Sequence, residues 1–176
     1  ISIFVLKKMI ANKNSNLVNT AVHLALYLIA GRLLMDILFK LLDVSAIVYY
    51  SQYCIGFSIE IVVITLAIKY FKHNNNKGLL SFGEGIQIGL IIMALTGISL
   101  FIEIYLFLPG FHNIKAIEIT EKFNPEQLEA TIFKIEQAKE NPNYGVAFPM
   151  YVLYFCFLGF IISVIPTVVM AAKENQ

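Results

Sequence analysis

Apolar residues run along this chain in four long blocks, residues 17–42, 46–70, 86–108 and 146–172, each interrupted by few polar positions. A helix rises about 1.5 Å per residue and a bilayer core is about 30 Å thick, so about 20 residues suffice to cross it. Every block exceeds that length. Within them, Ile61-Val62-Val63-Ile64-Thr65-Leu66-Ala67-Ile68 and Gly159-Phe160-Ile161-Ile162-Ser163-Val164-Ile165 are apolar on all sides. A core helix of a soluble bundle would keep a polar face, so the pattern predicts helices that face lipid. Lipid offers the peptide groups no hydrogen-bond partners, which requires the spans to be helical. The predicted fold is therefore all-α, an integral membrane four-helix bundle.

The connections between blocks are unequal. Only a few residues around Asp43 and Ser45 join the first two, which makes them antiparallel neighbours. The second and third are joined by Phe71-Lys72-His73-Asn74-Asn75-Asn76-Lys77-Gly78, a polar turn that ends on glycine. Between the third and fourth lies an amphiphilic insert, residues 109–145. In it, Asn124-Pro125-Glu126-Gln127 has the signature of a helix start, and Leu128, Ile132 and Ile135 recur at helical spacing up to Asn141-Pro142. The expected organisation is an N-terminal segment (1–16), three spans (17–108), the insert (109–145) and a fourth span with its tail (146–176).

Composition agrees with this pattern. Of the 176 residues 58% are hydrophobic and 14% charged, and the mean hydropathy of +0.72 is beyond the range of an ordinary soluble domain. A net charge of +1 gives no field to attract nucleic acid. The two cysteines, Cys54 and Cys156, stand alone inside apolar blocks and are expected to be small buried residues. Ile1 to Leu6 is too short for the apolar core of a cleaved signal, and Lys7-Lys8 follow it, so the first block is expected to be retained.

Lysine placement predicts an orientation. Lys7, Lys8 and Lys13 precede the first block, Lys69, Lys72 and Lys77 lie between the second and third, and Lys173 follows the fourth. The insert carries Lys115, Lys122, Lys134 and Lys139 against Glu118, Glu121, Glu126, Glu129, Glu136 and Glu140. The positive-inside rule then makes both termini cytoplasmic and the insert extracytoplasmic. Tyr49, Tyr50, Tyr53, Tyr105, Tyr144 and Tyr151 gather at the outer interface in that arrangement.

Ionisable residues within a membrane span are costly, so Arg32, Asp36, Glu60 and Glu103 are the leading candidates for function. They are expected to form an intramembrane charge network lining a polar cavity for an ion, a proton or an anionic lipid headgroup. The competing structural expectation is that Arg32 pairs with Asp36 four residues on, while Glu103 snorkels to the interface. Gly85 with Gly89, and Gly159 with Ser163, are small residues one turn apart and are expected to allow close helix packing. His23 is expected to be packed or interfacial, and Pro166 to kink the last helix by freeing the Ile162 carbonyl. No nucleophile triad or metal-binding spacing occurs, so neither catalysis, a metal nor a cofactor is expected.

The segment Gly78-Leu79-Leu80-Ser81-Phe82-Gly83-Glu84-Gly85 opens the third block. Together with the Asn-Pro-started charged insert and a last block ending in small residues and Lys173, it resembles an uncharacterised Bacteroidota membrane family, domain of unknown function 4199. The resemblance implies a four-helix inner-membrane protein and transfers no catalytic residue; Ser81, Phe82, Gly83, Glu84 and Gly85 are its most distinctive part. It also suggests an accessory subunit of a lipid-linked glycosyltransferase. The residues themselves lead to a non-catalytic membrane component whose partners are membrane lipids and another membrane protein or a second copy, with no nucleic acid. The alternative reading is a small transporter or lipid-handling protein built on the charge network.

Overall fold

The computed structural model describes the backbone of residues 3–75 and 78–172 and the side chains of 16–74 and 78–171. Lys7, Lys8, Lys13, Lys77 and Lys173, which weigh in the predicted orientation, lie outside the described side chains. The described chain is all-helical, in the order α1 (Ile3–Leu41), α2 (Ala46–Tyr70), α3 (Phe82–Ile102), α4 (Pro109–Phe123), α5 (Leu128–Glu140) and α6 (Tyr144–Ala172). Four helical spans are long and apolar enough to cross a membrane: Asn16–Leu41, Ala46–Asn74, Phe82–Phe107 and Tyr144–Ala171. The shortest has 26 residues, about 39 Å at helical rise, against a core of about 30 Å. The helix that carries the first apolar block begins at Ile3, within the N-terminal segment.

Helices α1 and α2 form a hairpin. The turn closes with Asp43 N–H donating to the Lys40 carbonyl and Val44 N–H to the Phe39 carbonyl, and Asp43 takes the left-handed position at φ 43° that usually falls to glycine. At the other end of α2 the helix widens into a π turn, Phe71–Asn75, and Gly78 (φ 85°) donates to the Lys72 carbonyl. Lys72 in turn places its ammonium on the Met170 carbonyl near the end of α6. We call this the terminal end of the bundle, and the opposite one the insert end.

The closest contact is between α3 and α6, which run antiparallel. Gly85 faces Thr167, Gly89 faces Ser163 and Gly159, and Gly97 faces Phe155, so each step along α3 is matched by an equal step back along α6. A Cβ at Gly89 would lie 2.7 Å from the Gly159 carbonyl oxygen and 2.6 Å from Ser163 Cβ. The seam therefore exists only because these positions lack side-chain bulk. Ser163 hides its hydroxyl by donating to the Gly159 carbonyl at 2.7 Å. At the start of α3, Ser81 and Glu84 form a reciprocal capping box: Glu84 N–H donates to Ser81 Oγ (3.3 Å) and Ser81 N–H to Glu84 Oε2 (2.9 Å). The apolar core fills the terminal half, from Leu17, Ala21, Ala25 and Leu28 on α1 to Ile64, Ala67, Ile68, Ile88, Ile92 and Ile162.

The insert differs from expectation. One helix was predicted from Asn124, but two are present, and the first, α4, begins at Pro109. Asn124 closes α4 and precedes a single 3-10 turn, Pro125–Gln127, without a side-chain capping bond. Helix α5 buries none of its residues; Leu128, Ile132 and Ile135 are half-buried and its main neighbour is α4.

Candidate functional site

The inward stripe of α1, apolar through Leu17, Ala21, Ala25 and Leu28, continues one and two turns later into Arg32 and Asp36. Buried charge therefore begins where the apolar core stops. Asp36, Glu60 and Glu103 are 4%, 2% and 2% exposed, so all three carboxyls are buried, Asp36 and Glu103 toward the insert end and Glu60 near the middle of α2. The four candidate residues are brought into one region, and Arg32 makes one contact expected of the network, with Glu60, but does not pair with Asp36.

Arg32 donates a charge-assisted hydrogen bond to Glu60, with which it forms an ion pair, and its guanidinium also lies over the Tyr53 ring at 5.9 Å. Asp36 instead accepts from the Gln52 amide at 2.6 Å. The hairpin register explains this. It sets Asp36 opposite Gln52 and Arg32 beside Gly56, where an added Cβ would make ordinary contact with the guanidinium at 3.7 Å. Long helical side chains lean toward their own N-terminus, so Arg32 reaches one turn deeper to Glu60 and away from Asp36. Glu103 does not snorkel to an interface. It opens a π turn, Glu103–Phe107, closed by Leu108 N–H on the Glu103 carbonyl, and its carboxyl meets that of Asp36 at hydrogen-bonding range.

Three further participants join them, one from α4 and two from α2. His112, on α4, is 8% exposed; its Nδ1 shares a hydrogen bond with the Tyr49 hydroxyl, and its Nε2 lies 3.6 Å from Glu103 Oε1. Tyr49 is fully buried and contacts Tyr53 hydroxyl to hydroxyl at 2.9 Å. Tyr49 is thus an interior residue and not an interfacial one. Tyr105, Tyr144 and Tyr151 form a separate ring cluster around Phe101. Burial lowers the basicity of His112, and the nearby Asp36 carboxyl only partly offsets it.

Helix α4 is held over the insert end by a polar clasp. Ala46 N–H, at the open start of α2, donates to Glu118 Oε1 at 2.7 Å, and Lys115 Nζ reaches Asp43 Oδ1 at 3.2 Å and Glu118 Oε2 at 3.1 Å. The Ala46 amide, then Lys115, hold the Glu118 carboxyl below the usual carboxylate range. Burial opposes the charge of Lys115, but the Glu118 and Asp43 carboxylates outweigh it and raise the ammonium above the ordinary lysine value.

A cavity of about 880 Å³ opens between α2, α4 and α6. Arg32, Glu60, His112 and Asn113 form its polar part, with Tyr50, Tyr53, Tyr151 and Tyr154 around them; Phe57, Leu100, Met150, Phe155 and Leu158 are among its apolar residues. Its rim residues Phe57, Met150 and Tyr154 are exposed. Cys54 is exposed on the same wall and Cys156 is half-buried, so neither is the buried residue expected. His23 is exposed on α1, with Nδ1 at 2.8 Å from the Asn19 carbonyl. Pro166 stands within an α6 that remains helical from Tyr144 to Ala172. Of the small residues, Gly85, Gly89, Gly159 and Ser163 all lie on the α3–α6 seam, joined by the unanticipated Gly97 and Thr167. Among the described residues, no group of three or more His, Cys, Asp or Glu side chains has the arrangement of a metal site.

Four apolar helices of spanning length around a buried ionisable cluster are compatible with a multi-pass membrane protein. The family model described as Protein of unknown function (DUF4199) matches residues 17–171, and the chain belongs to that family. No curated protein and no solved structure matches the chain.

Proposed function

We propose that this chain is a non-catalytic lipid-handling protein of a bacterial, Bacteroidota-type inner membrane, which takes the head of a polar lipid into the cavity between α2, α4 and α6. Both termini are cytoplasmic in this reading and the α4–α5 insert is extracytoplasmic, as the lysine distribution favours. The observation that carries it is the cavity itself. It has the size of a small-molecule site, an apolar wall with a rim at the helix surface, and one cation and one anion in its polar part, Arg32 and Glu60.

The charge balance selects the head group. Asp36 and Glu103 stand behind Arg32 and Glu60, so a purely anionic head would meet more negative than positive charge. A head bearing both signs, as in phosphatidylethanolamine, offers its phosphate to Arg32 and its ammonium to Glu60 and the tyrosine rings. Native mass spectrometry of the full chain released from nanodiscs of mixed phosphatidylethanolamine and phosphatidylglycerol tests this. Retention of phosphatidylethanolamine, reduced at least tenfold in the Arg32→Gln/Glu60→Gln double variant, is expected. Equal retention by that variant, or selection of phosphatidylglycerol, overturns the reading.

A second reading, binding of another membrane protein, is favoured by α5, which buries nothing and exposes Phe133 beside its charges. A stoichiometric co-purifying chain that is lost on Phe133→Ser would support it.

A further inference from the structure

The carboxyls of Asp36 and Glu103 present a problem of proton count. Both are almost wholly buried and they face each other at hydrogen-bonding range. Two carboxylates in contact in a poorly polar interior do not both keep their charge. The cations on the surrounding elements are engaged elsewhere: Arg32 with Glu60, and Lys115 with Asp43 and Glu118. Lys40, one turn beyond Asp36, is exposed. Gln52, from α2, donates to Asp36. The titratable groups of α6 on this side, Tyr144 and Tyr151, face Tyr105 and Phe101 instead.

A second, independent observation lies on the other side of Glu103. Glu103 Oε1 and His112 Nε2 are both buried, both without a hydrogen-bond partner, and 3.6 Å apart. The other ring nitrogen of His112 is taken by the Tyr49 hydroxyl. If that hydroxyl donates to Nδ1, then Nε2 carries a hydrogen aimed at Glu103. If Nδ1 donates, Nε2 is a lone pair facing the carboxyl and free to accept a hydrogen from Glu103. In both tautomers the gap, at 3.6 Å too long for a hydrogen bond, is a place where one proton can be exchanged.

We propose that Asp36, Glu103 and His112 form a proton-binding site at the junction of α1, α3 and α4, in which the two carboxyls hold one proton between them and His112 exchanges it with the cavity. On release, Glu103 Oε1 gives the proton to the Nε2 lone pair, leaving both carboxyls ionised beside an imidazolium. The imidazolium then gives its Nδ1 proton to the Tyr49 oxygen as Tyr49 passes its own hydrogen to Tyr53, and Tyr53 passes one to cavity water. Tyr53 and His112 both line the cavity, so the relay ends there. Uptake is the reverse. The site goes beyond the lipid reading and needs no lipid in the cavity.

Infrared difference spectroscopy of the full chain in nanodiscs, titrated from neutral to alkaline pH, tests it. The expected result is a protonated-carboxyl carbonyl band at neutral pH, shifted in heavy water and lost in both D36N and E103Q, whose amides keep the shape of the carboxyls. In H112Q the band is retained but its titration midpoint moves. A folded wild-type protein with no such band at neutral pH overturns the proposal without any variant. Loss of the band in only one amide variant overturns the sharing, and an unmoved midpoint in H112Q removes the histidine from the site.

Discussion

The two halves of the bundle are held together by opposite means. At the terminal half α3 and α6 meet through Gly85, Gly89, Gly159 and Ser163, so closely that only small side chains fit and dispersion is collected along two backbones. At the insert half α3 and α6 touch through the rings around Phe101, while α1, α2, α3 and α4 gather about Glu103, Tyr53, His112 and a cavity, with contact made by hydrogen bonds between charged or polar groups. The contrast teaches that lipid-embedded helices have two distinct ways to cohere. Backbone approach leaves no interior space, whereas polar contact holds helices far enough apart for a ligand or a proton path to fit between them.

The comparison is broken most severely by Glu60→Leu, which strands the Arg32 guanidinium. Loss of one partner of a buried pair costs on the order of 3–5 kcal/mol, so SDS-induced unfolding followed by circular dichroism should move to much lower detergent fraction. The Arg32→Leu/Glu60→Leu double variant should recover most of that loss, because no charge is left unpaired. Gly89→Leu attacks the other half. Overpacking a close seam costs about 1–3 kcal/mol in the same assay, whereas Gly83→Leu, with nothing within 4 Å of its Cβ position, should leave the transition in place.

The difference between the halves was unevenly legible in the sequence. Small residues one turn apart announce close approach directly, which is why Gly85, Gly89, Gly159 and Ser163 were found, while Gly97 is cut off from Gly89 by Met93 and Thr167, one turn beyond Ser163, is larger and branched. The four intramembrane ionisable residues are equally conspicuous. Their pairing was not, because Arg32 and Asp36 share a face at close sequence spacing and the true partner Glu60 depends on hairpin register and on the lean of a long side chain. His112 and Lys115 were hidden by their helix. In α4 the inward positions are polar, so the apolar period that reveals a helix is weak there, and only Pro109 at its start marked it.

Smaller effects sharpen the picture at the two ends. Ser81→Ala removes one arm of the α3 capping box and should lower stability by about 1 kcal/mol, measured by the same detergent titration. Glu118→Ala should change global stability least but release α4 locally, seen as faster hydrogen exchange at the Ala46 amide. The pH dependence follows from the clasp. Because folding holds Glu118 below its usual range, its contribution is complete above the ordinary glutamate value and is lost as pH falls through the depressed one. Folding raises Lys115, so its contribution is complete below the ordinary lysine value and fades as pH climbs through the raised one. Burial keeps His112 neutral, and its contribution too declines on acidification below the ordinary histidine value. Protection of the Ala46 amide, taken relative to the intrinsic exchange rate at each pH, should therefore be greatest near neutral pH and fall toward both acid and alkali.

The seam between α3 and α6 also dictates a schedule. A ribosome delivers α3 before α4, α5 and α6, so the glycine-lined groove of α3 must wait, uncovered, until the last span is released. A truncated chain lacking α6 exposes that groove permanently, which gives quality-control proteases a mark for telling unfinished copies from complete ones.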